Sequence, residues 1–255
     1  MSKPYLISSF SYTSGVDKYF ESLSNITCSP VAFMFEPYTM TPRGVEVFKL
    51  DRKYIGNTGR FVPILDALMA NCFDLSRWFI FTDSGDVWFQ TELPNLDSVR
   101  GDIIVCDEGK KFKQIDFWFD KVPKKLLNKE AYNVGSFAMR GEMFLKFLLF
   151  IVGKYHEYVK LIKRPDIYPF NCPLANMYLS TTDRMFLNLA DTVLFNEFIA
   201  DKEITTHPTL FTCLSFNLKA LTTLERDGLY YNKQGELYSI VHANGNAKLL
   251  VDKKK

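Results

Sequence analysis

Two aspartates follow a strongly apolar run: Trp78-Phe79-Ile80-Phe81 gives way to Thr82-Asp83-Ser84-Gly85-Asp86. Such a run reads as a buried strand, and in open α/β sheets ligands bind beyond the carboxyl ends of the strands. Paired carboxylates there are hard oxygen donors that suit Mg²⁺ or Mn²⁺, ions able to bridge the two phosphates of a nucleotide. The competing reading is an Asx-type turn, in which both carboxylates only accept backbone N–H groups. A second cluster, His242-Ala243-Asn244-Gly245-Asn246-Ala247-Lys248, follows the strand-like run Leu237-Tyr238-Ser239-Ile240-Val241. An imidazole can complete a metal shell, Gly245 lets backbone approach a ligand, and Lys248 brings a point charge for a phosphate. Against this stands a plain hairpin turn, since Asn-Gly is a strong turn dipeptide.

Elements able to position these residues are spread along the chain. Strands are predicted at Tyr5-Leu6-Ile7, Val31 to Phe35, Val45 to Leu50, Trp78 to Phe81, Val87 to Phe89, Ile103 to Cys106, Val134 to Met139 and Leu237 to Val241. Helical spacing links Val16, Tyr19, Phe20 and Leu23. Phe61 to Cys72 reads as a helix with Pro63 in its first turn, where a missing N–H costs little. A buried helix is expected over Glu142 to Lys163 and a short one over Asn171 to Ser180. Residues 107–132 read as irregular, and Thr181 to Leu229 carries no clear pattern. Strands alternating with helices imply an α/β fold with a mainly parallel central sheet flanked by helices. The length of 255 residues favours one domain, with 181–255 as a C-terminal extension.

Composition removes several classes of function. The chain is 47% hydrophobic and 15% aromatic, too apolar to be disordered in the main. Net charge is only +2, and the one basic run is Lys253-Lys254-Lys255, so no nucleic-acid partner is expected. Peripheral membrane contact is left open, without support. Five widely spaced cysteines with no C-x-x-C imply free thiols in a reducing compartment. The sequon Asn25-Ile26-Thr27 then reads as coincidental. With no signal-like start and no apolar run near the 20 or so residues that a bilayer needs, a soluble, cytoplasmic protein is predicted.

Taken together, the motifs resemble a known family. Phe81 to Phe89 looks like the D-x-D region of GT-A (Rossmann-like) glycosyltransferases. The segment from His242 to Lys248 is similar to the H-x-x-G-x-x-K-P element of glycosyltransferase family 8, the glycogenin and bacterial galactosyltransferase group. Asn133-Val134-Gly135 followed by Gly141 looks like that family's N-x-G…G segment, and the three occur in the family's order. The resemblance implies a GT-A fold, a divalent metal, usually Mn²⁺, and a nucleotide-sugar donor, commonly a UDP-sugar, acting on a hydroxyl acceptor. It carries Asp86 and His242 over as metal ligands and Lys248 as the diphosphate contact, with Asn244 and Gly245 in the same loop. The C-terminal extension would close over the donor. Ser8, Ser9 and Tyr12 would lie near the nucleoside, and Arg60, opening a helix, would meet a phosphate. Asn133, Gly135, Asn171 and Asn176 would face the donor sugar or acceptor.

Departures from the pattern leave alternatives. The spacing here is D-x-x-D, closer to the plant-type T-D-x-x-D-V-x-F-Q, which residues 82–90 fit with Gln90 included. Asp83 thus has three roles open to it: metal ligand, ribose contact, or brace of the turn. Leu249-Leu250 stands where the family has Pro-Trp. Asn171-Cys172-Pro173-Leu174-Ala175-Asn176 stands in place of D-Q-D-x-x-N, with Asn176 alone matching. That altered segment motivates a second reading, a catalytically impaired nucleotide-sugar-binding protein on the same fold. A third, a metal-dependent nucleotidyl or phosphoryl hydrolase, would normally need more carboxylates.

Overall fold

A computed structural model describes residues 2–10, 16–35, 42–50, 56–114, 123–161, 191–214 and 223–243. The first half builds β1 (Tyr5–Phe10), α1 (Val16–Ser22), β2 (Ser29–Phe35), β3 (Glu46–Leu50), α2 (Gly56–Gly59), α3 (Phe61–Met69), β4 (Trp78–Thr82) and β5 (Val87–Phe89). There follow β6 (Ile103–Lys111), β7 (Glu130–Arg140), α4 (Gly141–Leu161) and a helix over 191–199, here α5. The short strands β8 (Phe211–Cys213), β9 (Leu224–Arg226), β10 (Leu229–Tyr231) and β11 (Ile240–His242) complete the described elements.

The central sheet has six strands in the order β3-β2-β1-β4-β7-β6. Neighbours from β3 to β4 pair in parallel, whereas β7 runs antiparallel to both β4 and β6. The expected α/β class is therefore observed, with a mixed, mostly parallel sheet. Phe81 opposite Phe137 and Ile80 opposite Ala138 show why β4 and β7 are internal strands: both are buried on both faces. One face packs against α3, α4 and α5 through Phe61, Phe81, Phe137, Phe147 and Phe195. The other is covered by α1 and by a small sheet ordered β5-β11-β8. Among the described residues, no helix is long and apolar enough to cross a membrane.

Several boundaries differ from expectation. β6 continues to Lys111 and β7 begins at Glu130, so both ends of 107–132 are strand rather than irregular chain. α3 stops at Met69, and Asn71 adopts a positive φ of 58° soon after it. The last described strand is Ile240–His242, three residues later than its expected start, with Leu237 in an isolated bridge to Tyr231. α5 has no counterpart among the predicted elements. The helix expected over Asn171 to Ser180 lies outside the described residues.

Candidate metal centre

The reversal of β7 creates the site. Because β7 is antiparallel, its first half lies beside the carboxyl end of β4, with Ser136 opposite Thr82. The amide of Asp83, the first residue beyond β4, donates to the Gly135 carbonyl at 2.7 Å. The Ser84 hydroxyl ties the same turn to β1 by donating to the Ser9 carbonyl at 2.9 Å. Immediately after the turn, β5 pairs antiparallel with β11, which sets His242 opposite Val87. The amide of Ala243 donates to the Asp86 carbonyl at 2.8 Å, closing that pairing at its end.

His242 is thereby brought to the acidic turn, 156 positions away in sequence. Its Nε2 lies 3.5 Å from Asp83 Oδ2 and 3.4 Å from Asp86 Oδ2. One donor atom from each of the three residues falls within 4.8 Å of the others, the one such group among the described residues. Ligands held about 2.0–2.4 Å from one ion meet that limit. Asp86 and His242 are buried, at 8% and 1% exposure, and Nε2 has no well-directed hydrogen-bond partner. Two carboxylates and an imidazole converging in a buried place fit a divalent cation. His242 therefore lies at the acidic turn, while the Asn244-Gly245 pair of the hairpin alternative lies outside the described residues.

The electrostatics agree. Burial pulls the His242 pKa down, but the charges of Asp86, Asp83 and Glu108 outweigh it, and the net shift is upward. The raised pKa favours a proton on the ring, the positive charge that a cation would otherwise supply. Metal and proton compete for Nε2, so cation binding should tighten as pH rises through the imidazole's titration.

Gly135 is what allows the three to meet. A β-carbon there would overlap the Asp83 carboxylate and the His242 ring. The resemblance placed Gly135 near donor sugar or acceptor; the structure places it directly against two prospective ligands. Asn133 is buried beside it, accepting the Gly135 amide at 2.7 Å and donating to Glu108. Arg60 is also buried and bridges two carboxylates, Asp83 Oδ1 on one side and Asp191 Oδ2 at 3.0 Å on the other. Ser8 is engaged internally with Tyr19 and with Thr82 at 2.7 Å, and Ser9 is buried at the same strand end. Tyr12, Asn171, Asn176, Asn244, Gly245 and Lys248 lie outside the described residues.

Three residues near the site were not among those expected there. Asp191 is the first described residue of α5, is buried, and accepts the Thr192 amide at 2.8 Å. Burial drives its pKa up to about 6, with Arg60 opposing that shift and Asp83 adding to it. Five positions on, Asn196 accepts the Tyr132 amide at 2.9 Å and donates to the Tyr132 carbonyl at 2.8 Å, clamping α5 to β7 beside Asn133. Asp191 and Asn196 have the first-to-last spacing of D-Q-D-x-x-N, twenty residues after the segment where that motif was sought. Ser136 is the third, 3.3 Å from His242 Nδ1. Gln90, noted only as a pattern match, bonds the Tyr230 amide and the Tyr230 and Tyr238 carbonyls, fastening β5 to the chain that leads into β11.

No family model and no curated protein matches this sequence. Functional inference therefore rests on the geometry and on the motif resemblance.

Proposed function

We propose that the protein is a divalent-metal-dependent glycosyltransferase, moving a sugar from a nucleoside diphosphate donor, UDP-linked by preference, to a hydroxyl acceptor. The observation that carries this reading is the convergence of Asp83, Asp86 and His242. The resemblance requires that meeting, and nothing local in the sequence demands it. The site also lies at the carboxyl end of β4, the usual ligand position in such sheets. Mn²⁺ or Mg²⁺ held by these three residues would neutralise the charge that develops on a departing diphosphate. Asp83 turns Oδ2 toward His242 Nε2 and Oδ1 toward Arg60, so Oδ2 is the atom that would meet an ion and Arg60 would orient that ligand rather than take a phosphate. Lys248 is assigned to the diphosphate, with Asn244 and Gly245 approaching the donor beside it. Asn133 and Asp191 are assigned to the donor-sugar side.

The impaired-binder reading draws on the altered 171–176 segment, and Asp191 weakens it by supplying a carboxylate with the missing spacing. Calorimetry with UDP tests the metal requirement. Binding should need Mn²⁺ or Mg²⁺ in the native protein, and Asp86→Ala should abolish that dependence; equal affinity in chelator and in Mn²⁺ would remove the reading. A panel of nucleotide sugars with Mn²⁺ separates the alternatives: release of nucleoside diphosphate from one donor supports transfer, and binding without turnover supports the impaired form. Release of nucleoside monophosphate or inorganic phosphate would instead indicate a hydrolase.

A further inference from the structure

The Ser136 hydroxyl sits between two acceptor-capable groups and has one proton to give. It lies 2.7 Å from its neighbour's carbonyl, Gly135 O, and 3.3 Å from His242 Nδ1. The shorter contact takes the proton, which leaves an oxygen lone pair facing Nδ1. The imidazole is then held with its proton on Nδ1 and its lone pair on Nε2, the atom that faces Asp83 and Asp86. A lone pair turned toward two carboxylates is repulsive unless a positive charge lies among them. The same Gly135 carbonyl accepts the Asp83 amide at 2.7 Å, so one peptide group sets the positions of ligands from two distant parts of the chain. Both Ser136 and His242 are shielded from water, at 0% and 1% exposure, so no solvent molecule replaces the hydroxyl readily.

We infer that Ser136 is a positioning residue that holds His242 in the tautomer able to ligate a cation through Nε2. The inference rests on the metal site proposed above. It concerns a residue that neither composition nor the motif resemblance singled out.

The test uses the full chain and Mn²⁺ alone, with affinity read by calorimetry in the native protein and in Ser136→Ala, Ser136→Thr and Ser136→Val. Threonine and valine are nearly the same shape and differ in the hydroxyl, so packing costs are shared between them. Unfolding midpoints in chelator verify that the two fold alike. Ala and Val should each bind Mn²⁺ about 10–100-fold more weakly than native, the usual cost of losing a group that orients a metal-ligating histidine. Thr should bind at least about fivefold more tightly than Val, against a cost of that size. Equal affinity of Thr and Val, or native affinity in Ala, overturns the assignment to Ser136 while leaving the metal site standing. Failure of the native protein to bind Mn²⁺ at all removes the metal site, and this inference with it.

Discussion

A methyl group at position 135 has no space to occupy, because the Asp83 carboxylate and the His242 ring already fill it. Gly135→Ala therefore has to push one prospective ligand away from the other, in a region where Asp86 and His242 are already packed. The expected outcome is a loss of Mn²⁺ affinity of at least about tenfold, as for other displaced metal surroundings, with the fold retained. Calorimetry beside far-UV circular dichroism checks both halves, and unchanged affinity would show that the close approach is not needed for binding. At this scale the sequence is legible where a residue's meaning is local. Asp83 and Asp86 stand out because carboxylates directly after a buried run are placed for ligands. Ser136 does not stand out, since a serine inside a strand acquires its role only when a histidine from another strand arrives beside it. Asn133 was readable as a site residue, but its bonds to Glu108 and the Gly135 amide were not.

At the scale of elements, α5 is the instructive case. Leu194, Phe195, Phe198 and Ile199 are buried at helical spacing, yet they give under three turns of signal after a stretch with no clear pattern. Its first described residue, Asp191, buries a carboxylate, which periodicity cannot flag. Asp191 is the acid whose folded pKa is raised, to about 6, over an ordinary value of 3.8. For a raised group, the folded state binds the extra proton, so its stabilising share is complete below pH 4 and fades as pH climbs to 6. Asp191→Asn removes that titration. The stability of the native protein relative to this variant should fall between pH 4 and pH 6 and level off above, as followed by urea unfolding at fixed ionic strength. A difference that stays constant across this window would mean that Asp191 is not protonated near 6. By contrast, the strands next to the acidic turn were readable because long apolar runs carry their own evidence. The direction of β7 was not: a strand buried on both faces looks the same whether it runs up or down.

Across the whole molecule, the α/β class and the mostly parallel sheet follow from patterns visible in the sequence, while the antiparallel β7 and the closure of the site depend on pairings with no local signature. Gly141 is one position where the layers meet without slack. Its amide donates to the Arg77 carbonyl at 3.0 Å, and a β-carbon there would run into the backbone of Leu75. Backbone cannot rotate aside as a side chain can, so Gly141→Ala should lower global stability by about 1–3 kcal/mol or more. Mn²⁺ affinity, measured well below the unfolding midpoint, should stay native, and a drop there would show that α4 also shapes the site. The pairing of β11 between β5 and β8 has a temporal side as well. A chain emerging from the ribosome delivers Asp83 and Asp86 early and His242 only near the end of the described residues. Until that histidine has been synthesised, the proposed cation site lacks its third ligand, and Arg60, already made, is the charge that stands against Asp83. The six-stranded sheet has to form on the strength of its own apolar contacts, and a cation at the proposed site would act as a late seal on a body already built.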